Sequence, residues 1–253
     1  GTTRVIAVGD SFTAAMGIAE DERYTERLEL ALRSRRGPAE VLNFANPGAE
    51  IDDHVETLRR PVLPAAPDFI LLQWYVNDFE IDKRGHPRAR HLVPFPAAHA
   101  ALFAHSAFYA LLDQQWASLQ VRLGLTPSYE DYMRERYADP AGEGSRRAMQ
   151  ELHSFLRTAK EAGVPVAVLL FPHLDARMGE EHPFATLDER VCEACAEESV
   201  PCIDLRESFS DYSDRIELLR VNRFDHHASA LAHRLAAVAR DLGYEYLSAE
   251  EAI

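Results

Sequence analysis

Phe69-Ile70-Leu71-Leu72-Gln73-Trp74-Tyr75-Val76 is the stretch that decides the fold. Successive residues of a strand point to opposite faces. Here nearly every position is apolar, so both faces are buried, as in the interior of a parallel sheet. Four shorter runs share this character: residues 4–8 (RVIAV), 41–45 (VLNFA), 164–171 (VPVAVLLF) and 200–205 (VPCIDL). Between them lie stretches with helical periodicity: residues 23–35, 51–60 up to Pro61, 145–162, 185–198 and 228–242. The last carries Leu231, Leu235, Val238 and Leu242 along one face. Strands alternating with helices predict an α/β fold, a five-stranded parallel sheet covered on both faces. Right-handed crossovers gather the C-terminal strand ends along one edge, where ligands bind in open α/β sheets.

The chain of 253 residues is long enough for a sizeable core in a single domain spanning 1–253. Apolar residues make up 47% and charged residues 27%, which excludes disordered and fibrous classes. A net charge of −14 repels phosphate backbones, so the expected partners include neither nucleic acid nor an anionic membrane. No run approaches the length of apolar sequence that a membrane span requires. The chain opens at Gly1-Thr2-Thr3-Arg4 without a visible targeting segment. Localisation is left open, the cytoplasm slightly favoured and a removed leader or anchor the alternative. Cys192, Cys195 and Cys202 are too few and too odd in number for a disulfide framework and read as buried thiols.

One stretch breaks the alternation. Residues 92–137, after the third strand, hold 8 of the 23 aromatic residues: Phe95, Phe103, Phe108, Tyr109, Trp116, Tyr129, Tyr132 and Tyr137. This predicts a helical insertion with its own small core; the alternative reading, compatible with it, is a lid over the ligand edge or a surface for a homo-oligomer.

Four polar groups fall at that edge. The first strand runs into Gly9-Asp10-Ser11-Phe12-Thr13, placing a serine hydroxyl at a strand end; the same residues also make an ordinary turn and helix cap. Asn43 through Asn46-Pro47-Gly48 closes the second strand, where the Gly48 N–H is either an oxyanion donor or part of a simple Pro-Gly turn. Asn77-Asp78 follows the third strand and offers a side-chain amide. Asp225-His226-His227 precedes the last helix, and a carboxylate two residues before a histidine can fix its tautomer. No carboxylate spacing supports a metal site on His226, His227 and His233.

Together these blocks resemble the SGNH/GDSL hydrolase superfamily: Gly9-Asp10-Ser11 with Gly17-Ile18, Asn43 through Gly48, Val76-Asn77-Asp78, and Asp225-His226-His227 running on to Ala232-His233. The chain departs from the family where glycine is common at Ala45 and Tyr75, and where proline and asparagine often replace Ala228 and Ser229. The resemblance implies a flavodoxin-like three-layer α/β/α sandwich and a serine esterase or acylhydrolase. It implies Ser11 as nucleophile, His227 as base through the Asp-x-His spacing, and Asp225 as its orienter. The oxyanion donors would be the Ser11 and Gly48 N–H groups and the Asn77 side chain. The implied substrate is a small-molecule, carbohydrate or lipid ester, with no cofactor and no metal. Two alternatives stay open: an O-acyltransferase on the same triad, and a metal-dependent phosphoesterase using Asp10, Asp78 and the histidines.

Overall fold

The computed structural model describes residues 1–81, 89–174, 178, 182–223 and 225–238. Five strands form one parallel sheet: β1 (Thr3–Gly9), β2 (Ala39–Ala45), β3 (Phe69–Trp74), β4 (Val166–Leu170) and β5 (Cys202–Asp204). Their order is β2-β1-β3-β4-β5, the flavodoxin-type order. The most apolar strands occupy the middle. Every residue of β3 and β4 is buried, whereas β2 and β5 are partly exposed edges.

The helices follow in chain order: α1 (Ser11–Ala14), α2 (Tyr24–Arg36), α3 (Ile51–Thr57), α4 (Pro96–His105), α5 (Ala107–Arg122), α6 (Tyr129–Tyr137), α7 (Glu143–Glu161), α8 (Ala185–Glu197), α9 (Leu205–Phe209) and α10 (Ala230–Val238). One sheet face is covered by α2, α9 and α10, whose Leu28, Leu32, Phe209, Ala232 and Ala236 pack with Val5, Leu71 and Leu169. On the opposite face α7 packs against α3, α8 and β4. Its Leu152, Phe155, Leu156 and Ala159 recur at helical spacing and are fully buried. A short antiparallel pair, β6 (Arg220–Asn222) and β7 (Asp225–Ala228), precedes α10.

The chain divides into two compact units, residues 1–81 with the described residues from Pro140 onward, and Asp82–Asp139. The second holds α4, α5 and α6. Its first two helices bury no apolar side chain completely; their buried residues are Asp113 and Gln120. Phe95, Phe103, Phe108, Leu111 and Leu119 are exposed. The expected small core is thus absent from α4 and α5, and within this unit the buried Tyr132, Met133 and Tyr137 lie on α6.

Three local expectations need correction or limits. The helix expected over residues 51–60 ends at Thr57 and continues through Pro61 as a wider turn, Leu58–Val62. Proline lacks an N–H and crowds the carbonyl four residues earlier, and the wider turn relieves that. Cys192 and Cys202 are not free thiols but form a disulfide; only Cys195 is a free, buried thiol. The sequence pattern hides this pair because α8 carries Cys192 to within a Cα separation of 5.3 Å of Cys202 on β5. The last helix is described to Val238, and its expected continuation to residue 242 lies outside the described residues.

The disulfide closes a short loop, so its contribution should be about 2–3 kcal/mol. Urea unfolding of a Cys192→Ser/Cys202→Ser double variant should show a loss of that size, whereas Cys195→Ser leaves the bridge intact. A double variant as stable as the parent would show that the bridge adds nothing.

Candidate active site

β1 ends at Gly9, and the chain turns at once into α1. Asp10 caps that helix: its Oδ1 accepts from the Phe12 N–H at 2.8 Å. Ser11 is the first helical residue and is half-buried. Gly9 has no room for a side chain, since a Cβ would collide with Thr13 Oγ1 and Gln73 Oε1. Gln73 Oε1 accepts from the Asp10 N–H at 3.1 Å and from the Thr13 hydroxyl at 2.9 Å, and Thr13 Oγ1 also pairs with the Tyr24 hydroxyl. The turn carrying Ser11 is therefore fastened to β3 and α2.

The second block lies beside the first. The Asn46 N–H donates to the Gly9 carbonyl at 2.9 Å, and the Ala49 N–H closes the Asn46-Pro47-Gly48 turn on the Asn46 carbonyl. Gly48 takes φ 81°, a conformation that favours glycine. Asn43 Nδ2 donates to the Thr13 carbonyl at 2.8 Å.

Beyond β3, residues Val76–Phe79 make a single tight turn. Asp78 Oδ2 accepts from the Tyr75 N–H at 2.8 Å, and its Oδ1 lies 3.1 Å from His54 Nε2 on α3. Asp10, Asp78 and His54 are all buried. Burial and the neighbouring Asp78 charge push the Asp10 carboxyl up to about 6. The Phe12 N–H, the His54 ring and the amide of Asn77 beside it act the other way. Burial also raises Asp78, only partly offset by His54. Burial alone would lower His54, but the Asp78 charge and hydrogen bond outweigh it and lift the imidazole above its ordinary range.

The fourth block arrives on β7. His227 Nδ1 pairs with Asp225 Oδ1 at 2.5 Å, and the His227 N–H donates to the same oxygen at 3.0 Å. Burial would raise Asp225, but these two hydrogen bonds and the imidazole charge hold its carboxyl below the usual range. The His227 ring lies 5.5 Å from that of Phe12, the residue after Ser11. Gly17 secures this approach. It takes φ +90°, and a Cβ there would stand 2.8 Å from Val221 Cγ1 on β6. A bare backbone thus lets the β6–β7 pair settle against the loop that follows Ser11.

Ser11, Gly48, Asn77, Asp225 and His227 consequently share the C-terminal edge of the sheet. Asp10 and Asp78 do not open onto it; they are sealed beneath the Ser11 turn with His54. His233 is also a core residue. Its Nδ1 accepts from the Tyr24 N–H at 3.2 Å, and burial together with the Arg23 and Arg27 charges pushes it down to about 4.

Sequence reasoning passed over His54, Gln73 and His173. Two of them carried a signal. His54 sits among Ile51, Val55 and Leu58 on a buried helix face, and Gln73 is the one polar residue of β3. His173 lies three residues beyond β4 at the same edge, where its Nδ1 pairs with the Tyr75 hydroxyl at 2.5 Å. Tyr75 in turn stacks on Phe12 with ring centroids 4.3 Å apart, so an aromatic wall stands where the family often has glycine.

The model of the GDSL-like lipase/acylhydrolase family matches residues 7–235. The chain belongs to that family. Solved structures agree on the fold of this hydrolase. A catalytic mutant of Axe2, an acetylxylan esterase from Geobacillus stearothermophilus, is 14% identical, with 97% of each chain covered and a TM-score of 0.60. The psychrotrophic esterase EstA from Pseudoalteromonas sp. is 11% identical over 97% of this chain and 99% of that one, with a TM-score of 0.58. TesA is 14% identical over 94% and 95%, with a TM-score of 0.56. No curated protein matches the sequence. The hydrolase is a carboxylic ester hydrolase. Among the described residues no helix is long and apolar enough to cross a membrane.

The buried Asp10 carboxyl gives a pH test. Its folded value of about 6 exceeds the ordinary 3.8, so between those values the folded state keeps a proton that the unfolded state has released. Its stabilising contribution is fully present below about pH 4 and is lost as pH rises through about 6. Asp10→Asn keeps an oxygen for the Phe12 N–H and removes the titration. It should match the parent in stability at pH 3.5 and exceed it at pH 7 by about 1–3 kcal/mol. Parallel urea titrations at the two pH values check this; a gap that does not widen with pH refutes it.

Proposed function

We propose that this hydrolase cleaves its ester through an acyl-enzyme on Ser11, with His227 as general base and Asp225 as its orienter. The observation that carries the reading is the Asp225–His227 hydrogen bond, held against the Phe12 ring next to Ser11. A carboxylate on Nδ1 fixes the tautomer in which Nε2 has a free lone pair. Nε2 takes the proton from Ser11 as Oγ attacks the acyl carbonyl. The imidazolium then returns that proton to the departing alkoxide, releasing the alcohol. Water, deprotonated by the same nitrogen, attacks the acyl-serine and frees the acid, and the proton goes back to Ser11 Oγ.

The negative oxygen of each tetrahedral intermediate is to be held by the Ser11 and Gly48 N–H groups and the Asn77 amide. In this reading Asp10 has a positioning part, its carboxyl lying beside the Asn77 amide. Substrates are small-molecule esters, including acyl groups on carbohydrate or lipid alcohols. EstA was solved inhibited by monoethylphosphonate, a tetrahedral phosphorus group of the kind a serine nucleophile captures, and this chain has the same fold.

A fluorophosphonate should therefore add a single label, found on the peptide that carries Ser11. Ser11→Ala should lose both labelling and p-nitrophenyl acetate hydrolysis. His227→Ala should lower kcat by about 10⁴-fold or more, and Asn77→Ala by about 10²–10³-fold. His226→Ala should cost far less. Labelling of another residue, or a larger loss in His226→Ala than in His227→Ala, would overturn the assignment.

A further inference from the structure

A second cluster of chemistry-bearing side chains lies wholly within the Asp82–Asp139 unit. His91 and His99 flank the Pro94-Phe95-Pro96 stretch, and Asp113 projects from α5. Pro96 is the first residue of α4, and the His99 N–H makes an early hydrogen bond of that helix, to the Phe95 carbonyl at 2.8 Å. The proline-bounded entry and the helix start thus fix where both imidazoles sit. His91 Nδ1 is 2.9 Å and His99 Nδ1 3.9 Å from Asp113 Oδ2. The two rings are stacked with centroids 3.6 Å apart. One donor atom from each of the three residues lies within 4.8 Å of the other two.

We infer that His91, His99 and Asp113 form a binding site for one divalent transition-metal ion of the zinc class. Two imidazole nitrogens and one carboxylate oxygen make the donor set of an open zinc site, with water in the fourth position. Ligand atoms around a four-coordinate zinc stand about 3.3 Å apart. A metal lies in the plane of each imidazole that binds it, so the two stacked rings must first swing apart. His91 can supply that movement, since its side chain is 53% exposed while those of His99 and Asp113 are 17% and 8% exposed.

A dication binds imidazole in its neutral form and accepts a carboxylate as counter-charge, and both kinds of donor are present here. Asp113 Oδ1 is held by the Leu92 N–H at 2.8 Å. Such an outer partner orients a ligand in a metal site. His99 Nδ1 pairs with the hydroxyl of Tyr109, one helical turn before Asp113, at 2.9 Å, a contact that metal binding through this nitrogen would replace. A cavity of about 510 Å³, lined by Arg90, His91, Val93, Pro94, Pro96 and His99, adjoins the cluster and leaves room for the water. A bound ion would clip the proline-bounded segment to α5, in a unit whose first two helices bury little apolar surface.

The test uses the full chain without an affinity tag, stripped with a chelator and dialysed. Zinc chloride alone is titrated calorimetrically, and cobalt chloride alone is followed by visible absorbance. One equivalent of zinc should bind with a dissociation constant of about 1 µM or tighter, and cobalt should give the strong bands of a four-coordinate site. His91→Ala alters an exposed side chain, and Asp113→Asn keeps an acceptor for the Leu92 N–H, so both variants should stay folded by circular dichroism. Each should weaken zinc binding by about 100-fold or more and abolish the cobalt bands, because losing a ligand costs more than losing an outer partner. No saturable binding below about 100 µM in the parent, or binding unchanged in both variants, overturns the site.

Discussion

Gln73 Oε1 joins the middle of the sheet to the turn that carries Ser11, and much of the site depends on it. It accepts from the Asp10 N–H and from the Thr13 hydroxyl at once, inside a strand that is otherwise apolar. A buried side-chain oxygen is costly unless it is paired. Here its partners are the first groups beyond β1, so the polar residue of β3 fixes where that strand must stop. Gly9 follows from the same constraint, because any side chain would occupy the space these groups share. The position of Ser11 is thus set from beneath by the sheet as well as by its own short helix.

Behind that turn the protein keeps an interior charge cluster. Asp10, Asp78 and His54 are all but inaccessible to solvent, and both carboxyls are raised by burial. An arrangement of this kind costs stability, and breaking a buried pair costs more than the pair itself contributes. What it brings is register. The Asp78–His54 contact ties the turn bearing Asn77 to α3, and Asp10 lies beside the Asn77 amide from the side of β1. Two strand ends and α3 are thereby connected through polar groups that a purely apolar core would leave free to slide.

The Asp82–Asp139 unit is organised on another principle. Its α4 and α5 leave large apolar side chains exposed, and their buried residues are polar. Arg90 and Gln120 exchange hydrogen bonds, the Arg90 N–H donating to Gln120 Oε1 and Gln120 Nε2 to the Arg90 carbonyl. Asp113 gathers His91 and the Leu92 N–H. Directional polar contacts hold this segment where packing does not.

The parallel sheet was legible in the sequence because it rests on local pattern. An apolar run buried on both faces has few alternatives to a central strand, and helical periodicity between such runs leaves little choice of class. The residues of the candidate site were also legible, since each stands just after a strand or ahead of the last helix, and chain order brings those places to one edge. The ends of elements were not, as at Pro61, where a helix passes through a residue expected to stop it. Neither was any side-chain pairing between different elements. Cys192 meets Cys202, His54 meets Asp78, His173 meets Tyr75, and Gly17 admits Val221, each because two elements pack at a distance and angle that no local pattern records. Sequence determines which faces must be buried, through short-range periodicity. Which polar group meets which inside that burial is decided only when the layers close, because a hydrogen bond or a disulfide is satisfied within a few tenths of an ångström.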